Sequence, residues 1–133
     1  MYSNFNKLLS EILGVPEDQI QLCAEFYKLK SFKKGDVLLR EGEISSSKYF
    51  VEKGLLRMYS IDKVGKEHVI QFAPEGWIIS DSTSQLLNEK SRFFIEAIED
   101  TDVIEVEDDF FNRLALVYPE VANKNQALMI NHI

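Results

Sequence analysis

Residues 49–59 read Tyr49-Phe50-Val51-Glu52-Lys53-Gly54-Leu55-Leu56-Arg57-Met58-Tyr59. Two short runs rich in aromatic and aliphatic residues flank a single glycine. Each run suits a strand, and the glycine supplies the conformation a tight reversal needs. The pattern continues outward in both directions. Asp62-Lys63-Val64-Gly65-Lys66 reads as a turn, His68-Val69-Ile70-Gln71-Phe72 as a strand, and Gly76 as the turn before Trp77-Ile78-Ile79. Upstream, Gly35 and Gly42 bracket Val37-Leu38-Leu39; downstream come Phe93-Phe94-Ile95 and Val103-Ile104-Glu105-Val106. Five of the six glycines thus fall at spacings of 7, 12, 11 and 11 between β-prone runs. Turn signals at that pitch suggest an all-β roll or barrel.

The 133-residue length suits one domain, and 45% hydrophobic with 28% charged residues is ordinary globular composition. No apolar run approaches the ~20 residues that cross a bilayer, so no membrane association is expected. The N-terminus lacks the basic and apolar regions of a secretory signal. One cysteine, Cys23, excludes an internal disulfide and a cysteine-ligated cluster, and a cytoplasmic location is expected. The net charge of −7 makes the chain a poor nucleic-acid binder by itself.

Three zones are expected. In residues 1–30, Phe5, Leu8, Leu9 and Ile12 recur at helical spacing, Gly14 ends that helix, and Pro16 opens another on which Ile20, Cys23 and Tyr27 share a face. Residues 31–106 form the β-roll. Within it, Ser80-Asp81-Ser82-Thr83-Ser84-Gln85 reads as a polar insertion of the kind that carries function. Residues 107–133 return to helix. Glu107 or Asp108 caps one on which Phe111, Leu114, Ala115 and Tyr118 share a face, and Pro119 starts another. On that last segment Val121, Asn125, Leu128 and His132, with Met129 beside them, form an a/d-like seam. The seam serves either packing on the chain's own roll or a homodimer.

Most chemistry is excluded by inventory. Two histidines, His68 and His132, are too few for a three-histidine metal site, and no metal is expected. The eight carboxylates from Glu96 to Asp109 have no glycine turn for a calcium loop and read as a solvated strand face entering a helix. The serines lack an orienting histidine, so no enzyme is expected. There is neither a G-x-G-x-x-G run nor a P-loop. Of four arginines, Arg92 follows the polar insertion and is the candidate anion ligand; the alternative is a surface arginine paired to nearby carboxylates.

Read with their neighbours, the glycines resemble the cyclic-nucleotide-binding domain of catabolite-activator-type (CRP/FNR) transcription regulators. Phe32 to Glu43 is similar to that family's opening hairpin, Tyr49 to Gly54 to its strand-turn signature, Gly65-Lys66-Glu67 to its next turn, and Gly76 to the glycine before its phosphate-binding cassette. Phe111 and Pro119 match the two helices that follow. The resemblance implies a mainly β fold, an antiparallel β-roll of jelly-roll type with flanking helices, and a sensor domain that binds a small effector, with a cyclic nucleotide (cyclic AMP or cyclic GMP) as candidate ligand and no other cofactor. It implies a homodimer built on the C-terminal helix, and DNA contact only through a helix-turn-helix beyond residue 133. The alternative is a stand-alone or kinase/channel-type regulatory module without DNA binding. The candidate pocket comprises Ser80, Asp81, Ser91 and Arg92, with Phe72 and Ile79 as walls. Ser80-Asp81 stands where the family has Gly-Glu. Ser91 stands where it has the phosphate-gripping arginine, with Arg92 one position late. A one-residue slip on a strand reverses a side chain's face, so Arg92 is expected to point away unless the loop shifts register.

Overall fold

The computed structural model describes residues 3–21 and 27–117. Two helices, α1 (Ser3–Leu13) and α2 (Glu17–Gln21), precede eight strands: β1 (Tyr27–Phe32), β2 (Val37–Leu39), β3 (Ser47–Lys53), β4 (Leu55–Ile61), β5 (Glu67–Pro74), β6 (Ile78–Ile79), β7 (Phe94–Ala97) and β8 (Thr101–Glu107). Helix α3 (Ser82–Leu87) lies between β6 and β7, and α4 (Asp108–Val117) follows β8. The strands form two four-stranded sheets, ordered β1-β8-β3-β6 and β2-β7-β4-β5, with every pairing antiparallel. This is the β-roll read from the glycine spacing.

Why the strands read as unbroken apolar runs becomes clear from the packing. The first sheet is buried on both faces, so alternate residues enter different cores. Phe50, Ile78, Ile104 and Val106 join Phe5, Leu9, Val15, Ile20, Tyr27 and Phe110 beneath the helices. Tyr49, Val51, Ile79 and Val103 face the other way and meet Leu39, Leu56, Met58, Ala73, Ile95 and Ala97 of the second sheet. Aromatic rings organise the helical core. Phe5 lies 5.1 Å from Tyr27 and 5.4 Å from Phe50, and Tyr27 meets Phe110 edge-on at 5.5 Å.

Two expectations are corrected. Tyr27 is not on a helix face; it opens β1, opposite Val106 on β8. Its spacing from Ile20 fits a helical turn by coincidence, whereas pairing along the whole of β8 gives the segment a ladder of hydrogen bonds. The polar insertion is not a loop but contains α3, whose start is set by Asp81 rather than by apolar periodicity. On α4 Phe110 is fully buried, and Ala115 of the expected face packs partly buried against the same core. Cys23, Tyr118 and the seam residues Val121, Asn125, Leu128, Met129 and His132 lie outside the described residues, as do the side chains of Ile12, Phe111 and Leu114.

The β4–β5 hairpin closes on Asp62. One of its oxygens, Oδ1, accepts hydrogen bonds from the amides of Val64 and Lys66, and Oδ2 lies 2.8 Å from His68 Nε2. The histidine contact first, and the Lys66 amide next, hold the Asp62 carboxyl below its ordinary range.

Candidate functional site

The candidate site is the segment from Ser80 to Phe93, tied at both ends to the rest of the roll. Asp81 is extended (φ −91°, ψ 91°) and caps α3, its Oδ1 accepting from the Ser84 amide at 3.1 Å. Serine and threonine are weak helix formers, so a good cap decides whether a six-residue helix forms. The helix ends at Asn88, the only described non-glycine residue at positive φ, in the left-handed region that asparagine tolerates. Ser84 is buried and joins the segment to the β2–β3 turn. Its Oγ accepts from the Ser45 amide at 2.8 Å and donates to the Glu89 carbonyl. Backbone bonds from Gly42 to the Ser91 carbonyl and from Ser91 to the Glu43 carbonyl complete the attachment.

The far end returns to the near end through one short contact. Ser91 Oγ donates to Asp81 Oδ2 at 2.6 Å and accepts from the Phe93 amide at 3.0 Å. Asp81 and Ser91 are 6% and 3% exposed, so both groups meet their hydrogen-bonding needs inside the protein. Two other polar atoms do not. Ser80 Oγ and Gln71 Nε2 are buried and have no hydrogen-bond partner. Gln71 lies opposite Met58 in the β4–β5 ladder, two positions from Ala73, and so on the face of β5 that looks into the roll. An unmet buried group costs about 1–3 kcal/mol.

Of the six expected site residues, the structure brings Ser80, Asp81 and Ser91 together. Ile79 is wholly buried in the core between the sheets, beneath them. Arg92 is exposed and makes no ion pair with a described residue; it neither reaches the cassette nor pairs with the acidic run. Phe72 is corrected as a pocket wall. It pairs with Arg57 on β4, while its neighbours Gln71 and Ala73 face the roll interior, so alternation turns it outward. There it helps to line a shallow cavity of about 350 Å³ with Lys34, Gly35, Arg57, Glu96, Ala97 and Ile98. Residues missed at the sequence level are Ser45, Gln71 and Lys48, whose Nζ donates to Gln85 Oε1 at 3.4 Å. The partners of Ser45 and Lys48 on α3 lie 39 and 37 positions away, so no local pattern marks them.

Two further electrostatic features frame the site. On the outer face, Arg57 reaches Glu96 (2.7 Å) and Glu67 (3.0 Å) and lies 4.0 Å above the Tyr59 ring, which stacks on Phe94. Partial burial works against the Arg57 charge, but the hydrogen bonds it donates to Glu96 and Glu67 outweigh it and raise its pKa. Inside, burial and then the charges of Glu105 and Glu43 push the Tyr49 phenol up to about 12.

Comparison with known proteins places these features in a family. Residues 29–118 match the cyclic nucleotide-binding domain. The chain is 26% identical over 116 residues to an anaerobic regulatory protein of Pasteurella multocida, covering 87% of this chain and 41% of that protein. It is 26% identical over 104 residues to the transcriptional activator protein FnrA of Stutzerimonas stutzeri, covering 78% and 42%. The chain therefore spans less than half the length of these relatives. The fold resembles the Thermus thermophilus catabolite activator protein (TM-score 0.70, 21% identity, 88% of this chain and 55% of that one). It also resembles the sensor domain of the transcriptional regulator DNR from Pseudomonas aeruginosa (TM-score 0.75, 15% identity, 97% and 89%). With the β-roll, the capped helix after β6 and a match over most of its length, this chain belongs to the cyclic nucleotide-binding domain family.

Proposed function

We propose that the chain is the sensor domain of a CRP/FNR-type transcription regulator. The observation that carries this reading is collinear similarity to regulatory proteins over 78–87% of the chain, on a fold whose insertion after β6 is ordered by its own buried polar network. The domain holds a small effector at the Ser80–Ser91 cassette and does not catalyse a reaction. Its C-terminal segment, including Val121, Asn125, Leu128, Met129 and His132, forms a homodimer seam in the cytoplasm. The effector biases that dimer between two arrangements, which changes the posture of a basic helix-turn-helix beyond residue 133. The charge of −7 supports a division of labour in which this half leaves phosphate contacts to the other.

The test is the natural reading frame beyond Ile133. It is expected to encode a basic helix-turn-helix, and the protein carrying it is expected to select a palindromic duplex from a random DNA pool. A frame without a basic domain, or a protein that selects no sequence, overturns the transcriptional reading and favours a DNA-independent regulatory module.

A further inference from the structure

We propose that segments 40–46 and 80–93 form one polar clasp, which opens as a unit and parts the two sheets at that end of the roll. Its role as the gate for an effector rests on the sensor-domain reading; the opening itself does not.

The roll is shut unequally at its two ends. At the end marked by Gly54, four connections pass between the sheets: β1–β2, β3–β4, β5–β6 and β7–β8. They are short and tied together by the amides of Gly35 to the Ala97 carbonyl, Ile98 to the Leu55 carbonyl and Gly76 to the Val51 carbonyl. The Lys34 amide adds a bond to Asp100 Oδ1. At the other end the β4–β5 hairpin stays within the second sheet. Between β1 and β8, only the β2–β3 turn and the α3 segment cross from sheet to sheet there. These two crossovers hold one another. The Gly42 amide donates to the Ser91 carbonyl and the Ser91 amide to the Glu43 carbonyl. The Ser45 amide donates to Ser84 Oγ, and the buried Lys48, at the start of β3, donates to Gln85 Oε1. Asp81 joins the two ends of the α3 segment through the Ser84 amide and the Ser91 hydroxyl.

Hydrogen bonds, rather than apolar contacts, keep the clasp shut. The one buried residue of α3 is Ser84, while Leu86 and Leu87 are 75% and 61% exposed. Ile44, which faces Lys90 in an isolated bridge, is 48% exposed. Lifting the clasp therefore uncovers little apolar surface, and water can replace the bonds it releases. Elements with few buried apolar contacts open at lower free energy than the core. The strands entering the clasp end in Leu39 and Ile79, both in the core between the sheets. Freeing the clasp thus gives access to that core from this end.

The test is amide hydrogen exchange of the native chain and of Ser84→Ala, with thiol labelling of buried cysteines as a second readout. In the native chain the amides of Gly42, Ser45 and Ser91 are expected to share one opening constant. It should exceed that of Gly35, Gly76 and Ile98 by about tenfold or more. Ser84→Ala removes the acceptor of the Ser45 amide and touches neither the Gly42 nor the Ser91 amide. Exchange is nevertheless expected to rise by one common factor, about tenfold, at all three, with no change at the Gly54 end. Leu39→Cys lies at the clasp end of the core and Val51→Cys toward the other end. Ser84→Ala is expected to speed labelling of the first about tenfold and to leave the second unchanged, with mass spectrometry separating both from Cys23. Acceleration confined to Ser45 overturns the proposal, as does equal opening at the two ends. Labelling of Leu39→Cys that does not respond to Ser84→Ala also overturns it. If Leu39→Cys fails to melt cooperatively, Ile79→Cys takes its place, and the exchange results stand without either. No effector or DNA enters these measurements, so the clasp and the regulatory reading fail separately.

Discussion

Replacing Gly54 with alanine is expected to destabilise the roll by about 3 kcal/mol, mostly through contacts with backbone that cannot yield. Gly54 joins β3 to β4 at φ +111°. A Cβ built there would sit 2.5 Å from Thr101 Oγ1, 2.7 Å from Thr101 Cα and 2.8 Å from the Asp100 carbonyl oxygen. Two of these three atoms are main chain at the start of β8, and the third is held by its own bonds. Thr101 Oγ1 accepts from the Leu55 amide and donates to the Glu99 carbonyl at 2.8 Å. The left-handed backbone alone costs an alanine about 1–2 kcal/mol. The smaller entropy of the unfolded alanine chain returns about 0.4–1 kcal/mol. Relief of the overlap requires β8 to move away from β3, and overpacking of that kind costs about 1–3 kcal/mol or more. Gly65→Ala is the control, because φ there is +86° but nothing lies within 4 Å of the added carbon. Chemical denaturation of both variants is expected to place Gly65→Ala within about 1 kcal/mol of native and Gly54→Ala at least 2 kcal/mol below it. In the Gly54→Ala/Thr101→Ala double variant most of the loss should persist, since the Thr101 Cα and Asp100 contacts remain. Equal stability of the two single variants, or full rescue by Thr101→Ala, would refute the reasoning.

The cassette, the interior and the outer face each carry a further prediction. Asp81→Ala removes the α3 cap and strands the Ser91 hydroxyl, so it is expected to cost about 2–3 kcal/mol and to raise hydrogen exchange at Ser84 and Phe93 first; unchanged exchange there would contradict the bridging role. For Tyr49 the folded-state pKa of about 12 lies above the unfolded value of 10.0, so its contribution is whole below pH 10 and is lost as pH rises toward 12. Two pH units correspond to about 2–3 kcal/mol, and Tyr49→Phe is expected to flatten that alkaline limb in denaturation profiles; an unaltered limb assigns it elsewhere. A double-mutant cycle of Arg57→Ala and Glu96→Ala is expected to give a coupling of about 1 kcal/mol that shrinks in 1 M salt, and zero coupling would make the contact incidental.

How much was legible follows from how far each signal reaches along the chain. Gly35, Gly42, Gly54, Gly65 and Gly76 all adopt positive φ, and the runs between them pair as antiparallel strands. Turn chemistry is local, so its pitch exposes the roll. Tyr27 misled because a residue seven places after Ile20 satisfies helical spacing and strand alternation alike; only the pairing to Val106 decides. Asp81 and Ser91 could be named as a pair of positions, but not as partners. Whether they face a ligand or each other depends on how α3 turns the chain back over ten residues. Phe72 was misjudged by one strand position, the smallest error that reverses a side chain, whereas Arg92 was expected to point away and is exposed.

From the sequence alone came the β-roll, the place of the cassette after Gly76 and the absence of a phosphate-gripping arginine at its expected position. These depend on turn residues, residue types and order, all of which survive without knowing which strands meet. Tertiary structure decided which sheet each strand joins, that Phe72 faces outward and that Arg92 is exposed. It also decided that Asp81 and Ser91 bind one another and that Ser80 and Gln71 are left without partners. The reason is physical: a hydrogen bond between groups ten or more residues apart exists only once packing has excluded water and brought both ends to within 3 Å.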